Sequence, residues 1–285
     1  MHASTIGRLG MNVEMQLAHL TVRLLVTRED GGTHSGTGFF IGFDQGGKGS
    51  KVYCVTNRHV LEGAVKCHIP VTRDDGNGVP CYGQVADVAV DDIAQTVLFH
   101  PDDAVDLAAF PFHGIMNQLQ SQGFAPFIKA INRNELPQDA FFSNIDLASD
   151  VVMIGYPNGL WDEANNMPIL RRGITATPPS LDFNGKKQFA IDCACFPGSS
   201  GSPIFLFQRN GYTDENGNHF INGNRILLIG ILFAGPQFTV GGQIVPKSIP
   251  TSLSVEVRSM IMMHLGYCIK STELAWLDSV VAANS

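Results

Sequence analysis

The run Phe196-Pro197-Gly198-Ser199-Ser200-Gly201-Ser202-Pro203-Ile204-Phe205 constrains this chain more than any other stretch. Glycine and proline kinks are packed round a serine pair, and an apolar strand-like run follows at once. Such a segment holds a small nucleophile on a sharply bent loop against a rigid sheet. A serine hydroxyl is a poor nucleophile at neutral pH. It needs a neighbouring base and donors for the oxyanion that it creates. The remainder of the sequence is therefore read for those parts.

Two segments supply them. Val52-Tyr53-Cys54-Val55-Thr56-Asn57-Arg58-His59 is an apolar strand that ends at a histidine. His100-Pro101-Asp102-Asp103-Ala104-Val105-Asp106 is a polar loop that leads an acid into the apolar run Leu107-Ala108-Ala109-Phe110. His59 and Asp106 stand 47 residues apart, and Asp106 and Ser200 stand 94 apart. Ser199 and Ser202 compete with Ser200, and Asp102 and Asp103 compete with Asp106. The apolar run begins only after Asp106, which favours that carboxylate for burial. His19, His34, His68, His100, His113, His219 and His264 do not end so apolar a strand in a Thr-Asn context.

The order His, Asp, Ser and the motifs around it resemble the trypsin-like (chymotrypsin-fold) serine peptidases, and within them the HtrA-type branch. Gly36-Thr37-Gly38-Phe39-Phe40-Ile41 resembles the family's glycine-flanked second strand, and Thr56 to Val60 its histidine motif. Asp106-Leu107-Ala108 resembles the aspartate motif, Gly155 to Leu160 the strand and turn that open the second barrel, and Asp192 to Pro203 the serine motif. Gly155 to Pro178 also resembles bacterial intracellular trypsin-like peptidases without a signal sequence.

The resemblance implies an all-β fold of two antiparallel six-stranded β-barrels with a C-terminal helix, and a serine endopeptidase that needs no cofactor. Its triad would be His59, Asp106 and Ser200, with the oxyanion hole made by the N–H groups of Gly198 and Ser200. Ala194, six residues before Ser200, would floor the specificity pocket beside Cys195 and Phe196. That pocket is expected to be neutral and apolar, and to take small or aliphatic residues before the cut. The substrate peptide would add a strand along Phe233-Ala234-Gly235. Departures from the family are informative. Val60 follows His59 where extracellular trypsins keep a bridging cysteine, Ser199 replaces the aspartate of a zymogen switch, and residues 267–285 are too few to form the peptide-binding PDZ module of HtrA proteins. A rival reading keeps the barrels as a catalytically silent or partner-activated scaffold, with a sensor or regulatory protein acting on the Trp161-Asp162-Glu163-Ala164-Asn165-Asn166 loop.

Composition narrows the partners. A net charge of −7 and a pI near 5.7, without a basic cluster, argue against nucleic acid or anionic membrane and leave a peptide or protein substrate. Residues 1–12 show no secretory pattern and no run is long enough to span a bilayer, so a cytoplasmic protein with six reduced cysteines is expected. Cys193 and Cys195 would share one face of a strand. Cys67-His68 with Cys81 lacks a fourth ligand, so no metal is expected.

With 30 glycines and 15 prolines between short apolar runs, the chain reads as turns joining strands. A first barrel is expected over 15–110 from strands at Leu17 to Thr27, Gly36 to Phe43, Lys51 to Thr56, Lys66 to Thr72, Cys81 to Ala89 and Thr96 to Phe99. Residues 111–148 form an inter-barrel connection with helix around Ile115 to Gln120. A second barrel is expected over 149–250, with turns at Asn184-Gly185 and Glu215-Asn216-Gly217. Residues 251–285 are read as a helix capped by Thr251-Ser252, with Leu253, Val257, Met260 and Ile261 on one face and an end at Gly266. A further amphipathic turn follows over Leu274 to Val281.

Overall fold

A computed structural model describes residues 11–45, 49–213, 217–243 and 256–283; of 238–243 and 256–261 only the backbone is described. The first sheet contains β1 (Thr21–Arg28), β2 (Thr33–Asp44), β3 (Ser50–Thr56), β4 (Ala64–Asp74), β5 (Pro80–Asp91), β6 (Leu98–Phe99), β7 (Ala108–Pro111) and β8 (Ile131–Asn132). The second unit contains β9 (Asp150–Gly155), β10 (Ile169–Thr175), β11 (Gln188–Asp192), β12 (Pro203–Gln208), β15 (Arg225–Ala234) and β18 (Leu265–Lys270). Two hairpins project from it, β13 (Gly211–Thr213) with β14 (His219–Ile221), and β16 (Gln237–Gln243) with β17 (Glu256–Met262). The helices are α1 (Val13–Ala18), α2 (Arg58–Leu61), α3 (His113–Ser121) and α4 (Trp276–Ala283).

The second unit closes as the six-stranded barrel β10-β11-β18-β15-β12-β9. The first is a barrel-like sheet in the order β5-β4-β1-β2-β3-β7-β6, with β8 added in parallel to β2. Its hydrogen-bonded path stays open between β5 and β6. A 3₁₀ turn at Ile93–Gln95 follows Asp92, which adopts a left-handed conformation, and β6 is only two residues long. The all-β, two-barrel architecture with a C-terminal helix is therefore present.

The central strands carry apolar runs without alternation because both of their faces are covered. Phe40, Val22, Leu24, Cys54 and Phe110 fill the first barrel. Met153, Phe189, Ile204, Leu206 and Ile229 fill the second. Their neighbours in the same strands, Phe39, Ile41, Val152, Ile154, Phe205 and Leu228, point the other way. They form a third core that joins the two barrels and takes in Leu274, Leu277 and Val281 from the C-terminal segment. One hydrophobic layer thus packs the barrels against each other.

Several elements differ from their sequence reading. The first strand begins at Thr21, because Asn12 caps a helix through Met15 N–H at 2.9 Å and α1 runs to Ala18. Residues 256–262 form a strand paired with β16, and Gly266 lies inside β18, where the second barrel closes. The helical spacing of Val257, Met260 and Ile261 is overridden by tertiary pairing. At Gly266 an added Cβ would stand 2.6 Å from Cys195 Sγ and 2.6 Å from Leu232 Cδ1, so the glycine serves close packing and ends no helix. The C-terminal helix is α4, at the position expected for the last amphipathic turn, and Arg133 holds it by a two-pronged pair with Asp278 at 2.8 and 2.7 Å. Strand β11 stops at Asp192, which leaves Cys193 and Cys195 in the loop that follows. Asn184 and Gly185 adopt positive φ as a turn residue pair should, inside the longer connection between β10 and β11. The Thr251-Ser252 cap, the Glu215-Asn216 part of a turn and residues 1–10 lie outside the described residues.

Among the described residues, no helix is long and apolar enough to cross a membrane. All six cysteines are free thiols.

One buried titratable group makes the fold pH-sensitive. His19 is 7% exposed, with its ring 4.8 Å from Phe127 in a T-shaped contact and its Nε2 3.5 Å from the Tyr82 hydroxyl. Burial, and then the Lys129 ammonium, lower its pKa from 6.5 to about 4. As pH falls, the unfolded chain takes the proton first, so stability is lost from about pH 6.5 down to about pH 4. About 2 kcal/mol should disappear between pH 7 and pH 5. Urea titrations at the two pH values should show this, and His19→Phe should flatten the slope between them.

Candidate active site

The histidine turn is built by β3 and α2. Asn57, fully buried, donates from Nδ2 to the Asp106 carbonyl at 2.8 Å and ties the turn to the acidic loop. Arg58 reaches across to the His100 carbonyl at 2.7 Å and to Asp103 Oδ1 at 2.9 Å. Both contacts clamp the loop from 100 to 106 beside His59. Asp106 Oδ1 then accepts from the His59 backbone N–H at 2.9 Å, and its Oδ2 pairs with His59 Nδ1 at 2.6 Å. With Nδ1–H directed to the carboxylate, a neutral ring has its bare Nε2 on the far side. The rivals of Asp106 are otherwise engaged. Asp102 Oδ1 accepts from Ala104 N–H within its own loop, and Asp103 is 94% exposed against Arg58.

The serine loop rests on β2. Thr37 N–H donates to the Ser200 carbonyl at 2.8 Å, and Thr37 Oγ1 donates to the Gly198 carbonyl at 3.1 Å. The same hydroxyl oxygen accepts from Tyr156 N–H at 3.1 Å, while Thr56 Oγ1 donates to the Thr37 carbonyl at 2.7 Å. An added Cβ at Gly201 would stand 2.0 Å from Thr37 O and 2.5 Å from Thr56 Oγ1. On the other flank, a Cβ at Gly36 would stand 2.6 Å from Val60 Cγ1, beside His59. The segment Gly36-Thr37 is thus the shared floor of the histidine turn and the serine loop.

Within the serine loop, Ser199 and Ser202 are both fully buried, and Ser202 Oγ faces Thr37 Oγ1 at 3.4 Å. Ser200 is the partly exposed member. Gly198 has φ +84 and Gly201 φ +87, conformations that favour glycine. Among the described residues, the N–H groups of Gly198 and Ser200 donate to no acceptor. They are free amides on either side of Ser199. Also among the described residues, no hydrogen bond joins Ser200 Oγ to His59. Such bonds are commonly long before substrate is bound.

Ala194, Cys195 and Phe196 lie together, with one neighbour that sequence reasoning did not place there. Arg171 Nη1 donates to the Ala194 carbonyl at 3.0 Å and its guanidinium lies 4.9 Å from the Phe196 ring centre. The next residue, Arg172, pairs with Asp150 at 2.9 Å. The hydrogen bond between Cys193 and Cys195 lowers the pKa of the Cys193 thiol and raises that of Cys195, and burial raises Cys195 further. Phe233 and Ala234 end β15, and Gly235 follows them. The space beside Gly235 is already taken by the protein itself, since a Cβ there would be 3.0 Å from Leu265 O. The residues considered for a metal lie apart from this groove. Cys67 is buried in the first core, and His68 pairs with Asp87 at 2.9 Å.

Sequence reasoning missed Thr37, Asn57 and Arg171. The only sequence signal for Thr37 was its place between two glycines. Asn57 was legible only as a neighbour of the histidine.

A family model described as the trypsin-like peptidase domain matches residues 36–211. Among solved structures, the HtrA-type protease AlgW with a tripeptide is similar at 17% identity and a TM-score of 0.50 over 95% of this chain. The present chain spans 63% of that protein's length. The Rv3671c protease from M. tuberculosis in its active form shares 16% identity, with a TM-score of 0.43 over 92% of this chain and 80% of its own. No curated protein matches. With the family model covering well over half of its length, the chain belongs to the trypsin-like peptidase domain family.

Proposed function

We propose that the protein is a serine endopeptidase whose triad is His59, Asp106 and Ser200. The observation that carries this reading is the carboxylate of Asp106 on Nδ1 of His59, on the same Gly36-Thr37 floor as a partly exposed Ser200 whose own N–H and that of Gly198 are free. Ser200 attacks the scissile carbonyl as His59 Nε2 takes its proton, and the imidazolium returns that proton to the leaving amine. Asp106 fixes the ring tautomer and stabilises the imidazolium. The N–H groups of Gly198 and Ser200 receive the oxyanion; one such donor is typically worth about 3 to 4 kcal/mol in the transition state. Water then hydrolyses the acyl-enzyme by the reverse of the same proton transfers. No step calls for a cofactor, and the reading includes a cytoplasmic site of action.

The cleavage preference in this proposal is for small or aliphatic residues before the cut. Ala194 offers no carboxylate to a basic side chain, and the Arg171 guanidinium on its carbonyl repels one. A second reading is supported by the absence of a Ser200–His59 hydrogen bond among the described residues: a scaffold that a regulatory protein brings to full activity.

Three measurements separate these readings. Fluorophosphonate should label the isolated wild-type chain at Ser200, and Ser200→Ala should abolish both labelling and peptide turnover. Labelling that needs a second protein would favour the partner-activated reading. Asp106→Asn should leave the fold intact and cut kcat by about 10⁴ through the wrong imidazole tautomer. A peptide library should return alanine, valine or leucine before the cut, and enrichment of lysine or arginine would refute the pocket assignment.

A further inference from the structure

The loop from Tyr156 to Met167 touches both the serine loop and the first barrel, where Tyr156 N–H already donates to Thr37 Oγ1 on β2. Asn158 N–H donates to the Pro197 carbonyl, and a Cβ added at Gly198 would stand 2.6 Å from the Tyr156 carbonyl and 3.1 Å from Asn158 N. Arg23, on β1 of the first barrel, lays its guanidinium carbon 4.0 Å from the Trp161 ring centre. Its Nε is buried without a hydrogen-bond partner, so the guanidinium holds the loop through its face on the indole and through its attraction to the Glu163 carboxylate. Its Nη2 also lies 3.5 Å from where a Cβ of Gly159 would be, directly over the turn that carries Asn158. At the far end, Asn166 donates from Nδ2 to the Pro70 carbonyl at 3.3 Å and to Thr72 Oγ1 at 3.1 Å, both on β4. Asp162 and Met167 exchange two backbone hydrogen bonds, at 2.9 and 3.1 Å, which close the loop into one unit.

These contacts bear on the oxyanion site through the geometry of one peptide plane. In a trans peptide the C=O and N–H point in opposite directions. A donor that holds the Pro197 carbonyl on the loop side therefore turns the Gly198 N–H to the opposite side, where it is one of the two free amides. Glycine at 198 can rotate readily, so the direction of that amide depends on what grips the carbonyl. Thr37 grips the next carbonyl, that of Gly198 itself, and leaves the Pro197–Gly198 plane to Asn158.

We infer that Arg23 is a positioning residue for the oxyanion site: by stacking on Trp161 it seats the loop so that Asn158 holds the Pro197 carbonyl and aims the Gly198 amide. The inference rests on the reading of Gly198 as an oxyanion donor. It assigns a function to a residue of the first barrel that lies outside the triad and the specificity pocket. It also makes the Trp161 loop the element through which the first barrel sets the reactivity of the second.

The test uses the full chain and five proteins: wild type, Arg23→Ala, Arg23→Lys, Trp161→Ala and Trp161→Phe. For each, kcat and KM are measured on the best peptide from the library, with the inhibition constant of the matching peptide aldehyde, whose hemiacetal oxygen occupies the oxyanion site. Thermal melting monitors the fold. Arg23→Ala and Trp161→Ala should lower kcat about 10- to 100-fold and weaken the aldehyde by a similar factor, with KM within threefold of wild type. Arg23→Lys and Trp161→Phe keep a cation over a ring and should recover most of the loss. If Arg23→Ala fails to fold, Trp161→Ala, on a largely exposed loop, carries the same comparison. Wild-type kcat in both alanine variants would overturn the inference, as would a rise in KM alone or a loss in Trp161→Phe as large as in Trp161→Ala. A wild-type chain that neither cleaves peptide nor labels at Ser200 would overturn the peptidase reading and this inference together.

Discussion

The site depends on Thr37. Its peptide N–H holds the Ser200 carbonyl, its hydroxyl bridges the Gly198 carbonyl and Tyr156 N–H, and its own carbonyl takes the Thr56 hydroxyl three residues before His59. One residue thereby spans the histidine turn, the serine loop and Tyr156, which follows β9. The glycines around it permit that closeness. A side chain at Gly201 would collide with Thr37 O, one at Gly36 with Val60, and one at Gly155 with Ser202 Oγ and Thr37 Oγ1. These buried polar groups have few other partners, and leaving any one unsatisfied costs about 1 to 3 kcal/mol. The arrangement is therefore specified strongly even though each hydrogen bond is individually modest.

That local staple works because the barrels cannot slide. Strands β2, β9, β12 and β15 each bury one face in their own barrel and the other in the layer between barrels. Burial of one large aliphatic side chain is worth about 1.5 to 3 kcal/mol, well above what exposed ion pairs such as Arg172–Asp150 contribute. The groove between the barrels is consequently a fixed geometry on which loops can vary. The acidic loop from 100 to 106 and the Trp161 loop are two such additions, and each is anchored by an arginine, Arg58 for the first and Arg23 for the second.

Much of this was legible in the sequence, for identifiable reasons. The Pro-Gly-Ser-Ser-Gly bend, the apolar strand ending in His59 and the acid at the edge of an apolar run are local patterns, and each sits where its own chemistry places it. The apolar runs marked most strands. Their lack of alternation reflects two-sided burial. Residues whose effect depends on distant contacts are not visible: Thr37 reads as part of a glycine-flanked strand, Asn57 as a polar neighbour of the histidine, and nothing in the sequence places Arg171 on the Ala194 carbonyl. The misreading of 256–265 as helix has the same origin. A spacing that suits one face of a helix carries no information about the strands waiting to pair, and closure of the second barrel by β18 decided the matter.

The central claim is that the Gly36-Thr37 floor brings Ser200 and His59 into one site. Thr37→Val removes the hydroxyl while it keeps the shape and the backbone bond to Ser200. The rate of fluorophosphonate labelling at Ser200 in this variant, measured at a temperature where melting shows it folded, tests the claim most directly. The account predicts labelling at least about 10-fold slower than in wild type, since the Gly198 carbonyl and Tyr156 N–H lose their shared partner. Labelling at the wild-type rate in folded Thr37→Val would contradict it.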